Sequence, residues 1–208
     1  MTLYHWILLL AFSICGTICI AKLFQVLFLH RTQDFAQRRG SILSAILYSF
    51  SGAMSPLKKE TAYLHLPTYA AGIIYHIGTF LSFALLLVHF ANFTIPDITS
   101  KAAVSILFIS AVCGASIFFK RLFSSRLKSI STPDDYFSNL LVTGFHIVSA
   151  LTVVKEVPIR ALLIYASVIF LYIPLGKLSH LLYFFTSRIH LGILFGSRGI
   201  WPMKRRNV

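Results

Sequence analysis

Long apolar runs, and not an alternation of apolar and polar positions, set the pattern of this chain. Residues 3–29, 69–93, 102–119, 136–154 and 159–185 form five such runs. Each reaches the length, about 17 to 25 residues, that a helix needs to cross a bilayer core of ~30 Å. Helical periodicity inside them is weak, as it is when the surroundings are apolar on every side, and the alternation of a membrane β-barrel strand is missing. The first run is longer than the ~7 to 15 residue core of a secretory signal, with no basic region before it, so it reads as a retained helix. The pattern predicts an all-α fold, a polytopic membrane helix bundle of five transmembrane helices, as one domain over residues 1–208. A further stretch, 41–57, is shorter, more polar and interrupted by Gly52 and Pro56. It reads as an interfacial or re-entrant segment.

Composition agrees and narrows the class. At 57% hydrophobic, 12% charged and mean hydropathy +0.78, the chain is far from a soluble domain with its ~25% charged residues. Nineteen Lys and Arg against six Asp and Glu give +13. In a soluble protein that excess would raise nucleic acid as a partner; in a membrane protein the side it falls on is what matters, and no nucleic acid partner is expected. With five spans, sixteen of the nineteen basic residues fall on one side and only Lys101, Lys155 and Arg160 on the other. Because cytoplasmic loops retain Lys and Arg, the N-terminus is expected outside and the C-terminus inside, in the cell membrane. The three cysteines, Cys15, Cys19 and Cys113, lie within apolar runs without a CxxC pattern, which argues against structural zinc, attached haem and disulfides.

Ionisable residues inside a bilayer are functional candidates by default, and this chain has eight histidines. His76 on the second run and His180 on the antiparallel fifth lie at similar depth, roughly 10 and 12 Å from the inner face at 1.5 Å per residue. Two such imidazoles can be the axial ligands of a b-type haem; the plainer alternative is that each bonds a neighbouring backbone carbonyl. His146, on the fourth run, lies only about 5 Å deeper than His76. It could replace His180 as the partner of His76, hydrogen-bond near a haem, or pack. His89 follows His76 by thirteen residues, which on an ideal helix turns it about 140° away. The outer half of the fifth run offers it no histidine, so one haem is expected over two. His30, His65 and His190 read as solvated inner residues.

Three stretches resemble a known family: the membrane cytochrome b subunit (gamma subunit) of respiratory nitrate reductase, with its relatives in membrane-bound heterodisulfide reductase and sulphite-reductase-associated complexes. Tyr75-His76-Ile77-Gly78 is similar to the family's aromatic-His-Ile-Gly at the first haem ligand, and His89-Phe90 to its second. Lys120-Arg121-Leu122-Phe123-Ser124-Ser125-Arg126 with Thr132 resembles the basic loop between helices three and four, and Pro174-Leu175-Gly176-Lys177-Leu178-Ser179-His180 the inner ligand motif of the fifth. The likeness covers roughly residues 66–187. It implies five spans, an inner haem b on His76 and His180, and quinol oxidation near an outer haem aided by a lysine at the outer start of the third helix, where Lys101 lies. A His early in the fifth helix is missing, which favours the heterodisulfide-type branch, as does Pro56-Leu57-Lys58-Lys59-Glu60.

The expected function is then a haem b membrane anchor subunit of a respiratory redox complex, moving electrons between membrane quinone or quinol and a cytoplasmic iron–sulphur partner. The partner is expected to dock on the basic inner face, chiefly through Arg121, Arg126 and Lys128, with membrane lipids taking part of the charge. Two other classes compete: a transporter whose membrane histidines relay protons, and an assembly or anchoring protein without cofactor.

Overall fold

A computed structural model describes residues 2–28, 37–56 and 62–202. His30 and the run from Leu57 to Glu60 lie outside the described residues, as do Lys204, Arg205 and Arg206. The described residues are helical and contain no strand. Among the described residues four helices are long and apolar enough to cross a membrane, and a fifth span results if one broken pair counts as one. The protein is an all-α polytopic helix bundle.

The helices are α1 (Leu3–Phe28), α2 (Ile42–Phe50), α3 (Leu66–Phe90), α4 (Asp97–Phe123), α5 (Ser125–Lys128), α6 (Pro133–Val153), α7 (Ile159–Tyr172) and α8 (His180–Ser197). They form two compact units, Met1–Cys19 with Pro67–Leu178, and Ile20–Leu66 with Ser179–Val208.

In the first unit the core is built by Leu8 and Cys15 of α1, Leu86 of α3, Leu141 and Phe145 of α6, and Leu162, Leu163, Ala166 and Ile169 of α7. Phe145 lies at its centre, edge-on to Phe83 at 5.1 Å and stacked with Tyr165 at 6.3 Å. Cys15 and Cys19 are free thiols with their sulphurs 4.0 Å apart, one turn apart on α1, and serve packing. Close approach of helices depends on glycine, as is usual where lipid gives helices no hydrophobic drive to associate. A Cβ on Gly78 of α3 would lie 2.0 Å from Ser110 Oγ of α4, and one on Gly114 of α4 would lie 2.4 Å from Thr143 Oγ1 of α6.

The fifth predicted run, 159–185, is not one helix. It ends at Tyr172, and after a break containing Pro174 and a 3-10 turn at Lys177–Ser179 a separate helix begins at His180 and continues to Ser197. Proline removes a backbone donor and clashes with the preceding turn, and here the freed groups are met by the start of α6. Asp134 accepts from Tyr172 Oη and, at 2.8 Å, from the backbone N–H of Lys177. Asp135 takes the Lys177 ammonium at 2.5 Å and the Arg121 guanidinium at 3.2 Å. It also closes a capping box with Thr132 at the start of α6.

In the second unit α2 packs along α8. Ala45 and Ser49 are its buried face, and Gly192 and Gly196 of α8 lie directly beneath Ile46, Ala45 and Ile42. Ser49 Oγ donates to the carbonyls of Ile46 at 2.8 Å and Arg188 at 2.9 Å. The segment expected to be interfacial is thus a nine-residue helix followed by a short 3-10 turn at Gly52–Met54.

Candidate functional site

Three histidines of the first unit differ in what their rings bond. His76 lies on an exposed face of α3, and its Nδ1 donates to the Gly72 carbonyl one turn back at 2.7 Å. His89, at the far end of the same helix, makes the equivalent bond to the Leu85 carbonyl at 2.8 Å. Each bond fixes the ring and directs Nε2 away from the helix backbone. His146 is fully buried on α6, with Nδ1 3.2 Å from Ser110 Oγ of α4 and Nε2 3.1 Å from Thr79 Oγ1 of α3. A neutral imidazole has one N–H, so one of these hydroxyls accepts from the ring while the other donates to it. Both nitrogens are then engaged, and the ring joins three helices.

His146 belongs to a polar row running along α6. Towards the Asp135 end, Tyr75 Oη donates to the Asn139 carbonyl at 2.9 Å and lies 3.1 Å from Thr143 Oγ1. Towards the other end come Ser149, fully buried with its hydroxyl unpartnered, and then Thr152. Ser82 of α3 is likewise buried and unpartnered.

The row leads to a cleft of about 480 Å³ at the end of the unit where the short turns 91–96 and 154–158 lie. That volume is in the ~300 to 1,000 Å³ range of small-molecule sites. His89, Asp97, Ser100, Thr152 and Lys155 supply its polar groups, and Phe93, Ile95, Val153 and Ile159 its apolar walls. Lys155 closes the α6–α7 turn in the left-handed region, at φ 63°, with its N–H on the Thr152 carbonyl at 3.1 Å. In the orientation expected from the sequence, this is the end that would face the outer side. Lys101 is exposed in the second turn of α4 and does not line the cleft. Asp97 and Lys155, which do, carried no signal in the sequence beyond their places at helix ends, since the cleft depends on how α3, α4, α6 and α7 meet.

His180 opens α8 in the second unit, exposed, as its first residue, while His76 belongs to the first. His5 of α1 is buried, 2.8 Å from Thr2 Oγ1 and 5.3 Å from the ring of Phe90. His65 lies in a 3-10 turn before α3, and His190 lies within α8. Among the described residues no three His, Cys, Asp or Glu side chains cluster to hold a bare metal ion; a haem needs only one or two imidazoles. At the opposite end from the cleft, the basic loop holds a short helix, α5, whose first turn is capped by Ser124. Arg126 and Lys128 lie on it, whereas Arg121 is bound to Asp135 and, at 3.2 Å, to Ser131 Oγ. Compared with protein-family models, curated proteins and solved structures, the chain has no match.

Proposed function

We propose that the protein is the haem b membrane anchor subunit of a respiratory redox complex, passing electrons between membrane quinone or quinol and a cytoplasmic iron–sulphur partner. The observation that carries this reading is the bond tying Nδ1 of His76 to the Gly72 carbonyl, which leaves Nε2 directed away from the helix. Metal-ligating histidines use such a bond to hold the proton on one nitrogen and the lone pair on the other. His76 and His180 would hold one haem. When bound, it supplies the one-electron chemistry that links a two-electron quinol to an iron–sulphur chain.

The remaining tasks fall to the cleft. Its apolar walls take the quinol ring and keep water from it, and the Lys155 ammonium orients a ring oxygen. As the ring gives up its two electrons one at a time, His89 Nε2 accepts the two hydroxyl protons in turn, and Asp97 at the cleft edge passes each to the outer side before the next. The test is reduction of the purified protein by a quinol analogue. His89→Gln and Asp97→Asn should each slow reduction by quinol at least tenfold while the dithionite-reduced spectrum stays unchanged. Unchanged quinol rates in both would reject the cleft as the quinol site.

A second reading has an observation of its own. His146, bonded through both nitrogens within a polar row that reaches the cleft, is suited to relaying protons across the bundle. Proton flux into liposomes containing the protein, driven by an imposed potential and lost in His146→Phe, would favour it over electron transfer if no haem is bound.

A further inference from the structure

A Ser or Thr hydroxyl inside a helix ordinarily bonds the carbonyl one turn back. Thr152 and Ser167, both buried, do so, donating to the Val148 and Leu163 carbonyls at 2.8 Å each. Ser82 of α3 and Ser149 of α6 do not. Both are fully buried, and neither hydroxyl has a hydrogen-bond partner in the protein. Among the described residues no other buried side-chain nitrogen or oxygen is left in this state. The register of α3 against α6 brings the two serines to one level. Tyr75 Oη of α3 lies 3.1 Å from Thr143 Oγ1 of α6, and Thr79 Oγ1 lies 3.1 Å from His146 Nε2. The two helices therefore run in the same direction. Ser82 stands three residues beyond Thr79 and Ser149 three beyond His146, an advance of about 4.5 Å along each axis. Residues three apart are neighbours on a helix surface, so both serines belong to the facing sides of α3 and α6, one turn from His146 towards the cleft.

Phe83, next to Ser82, packs edge-on against Phe145 of α6 at 5.1 Å, which keeps the two helices in contact at this level. The α4 helix runs the opposite way and brings Leu107, three residues before Ser110, to the same depth; it is fully buried and offers no polar group. Each hydroxyl can give one hydrogen bond and take two, so the site needs an uncharged occupant that both donates and accepts. Buried waters are found in such places, where a few otherwise unmet polar groups converge. A cation would need about six oxygen ligands, and Leu107 closes the third wall. We propose that Ser82 and Ser149 together hold a bound water molecule between α3 and α6. This water carries the polar row of α6 from His146 to Thr152 on the cleft wall, past the one turn where the protein alone supplies no bond. The site depends on helix packing alone and stands whether the bundle moves electrons or protons.

The test is solid-state NMR of the full chain, labelled with carbon-13 serine and reconstituted in lipid bilayers, with magnetisation transferred from water. The signals of Ser82 and Ser149, identified by their loss in Ser82→Ala and Ser149→Ala, should receive water magnetisation. Exposed Ser129, at the end of α5, should receive it too, while Ser167, buried and bonded within its own helix, should receive none. Ser82→Ala should abolish transfer to Ser149, and Ser149→Ala transfer to Ser82, because each removes one anchor of the shared water. Each variant should also lower the thermal midpoint, and the double variant should melt no lower than the less stable single one. Missing transfer to one or both serines in the parent, as when the hydroxyls bond each other or the Gly78 and Phe145 carbonyls, would overturn the proposal. So would transfer to Ser149 unaltered in Ser82→Ala, which would assign separate waters. A raised thermal midpoint in both single variants would overturn it as well, since that marks hydroxyls buried without any partner.

Discussion

Asp134, in the first turn of α6, accepts the backbone N–H of Lys177 in the break that follows α7, at 2.8 Å. This bond replaces the helical partner that the break takes from Lys177, and the same carboxylate holds Tyr172 at the end of α7. Breaking such a bond where water reaches it, as here, costs about 0.5 to 1.5 kcal/mol. Asp134→Ala should lower the thermal midpoint in detergent by an amount equivalent to that cost, while Glu156→Ala, at the other end of α6, should change it little. Equal effects would remove Asp134 from the account of the break.

Gly78 tests the packing of α3 on α4. A Cβ would meet Ser110 Oγ at 2.0 Å, whereas at Gly72, on the same helix, it would meet nothing within 4 Å. Gly78→Ala should cost about 1 to 3 kcal/mol through overpacking, and Gly72→Ala should be neutral or slightly stabilising through helix propensity. Thermal unfolding of the two variants side by side measures the difference.

His146→Leu should reduce stability by about 1 to 3 kcal/mol through loss of its bonds to Ser110 and Thr79, with the haem spectrum kept. Both hydroxyls retain backbone acceptors, Ile74 for Ser110 at 3.1 Å and Tyr75 for Thr79 at 2.9 Å, which holds the cost to that range. A lost low-spin spectrum would make His146 a ligand.

The basic loop separates docking from structure. Arg126→Gln with Lys128→Gln should weaken co-purification with an iron–sulphur partner at moderate salt and leave unfolding unchanged. Arg121→Gln should instead lower the thermal midpoint, because its guanidinium is bound to Asp135 and Ser131. Co-purification unaltered in the double variant would move the docking site elsewhere.

Much of the fold was legible because lipid-facing helices are set by length and apolarity, which a single sequence displays. The runs at 3–29 and 136–154 match α1 and α6 to within a few residues. The run at 102–119 falls short of α4, because the first turns, from Asp97, and the last, through Lys120 and Arg121, are polar but still helical. The break after Tyr172 was not read, although Pro174 and Gly176 stand in the run, since apolar residues continue on both sides and the carboxylates that settle it lie about forty positions earlier. The histidines were legible as residues but not as environments. Nothing local separates His146, enclosed by three helices, from His76 on an exposed face. The cleft has no sequence signature, because its lining comes from four helices and two turns.

The central claim is tested most directly by the visible spectrum of the purified full-length protein, produced with haem precursor, together with pyridine haemochrome quantitation. The account predicts a reducible low-spin b-type spectrum at one haem per chain, abolished in His76→Ala and in His180→Ala and retained in His89→Ala. A helical, monodisperse preparation with no haem spectrum, or a spectrum untouched in both His76→Ala and His180→Ala, would contradict it.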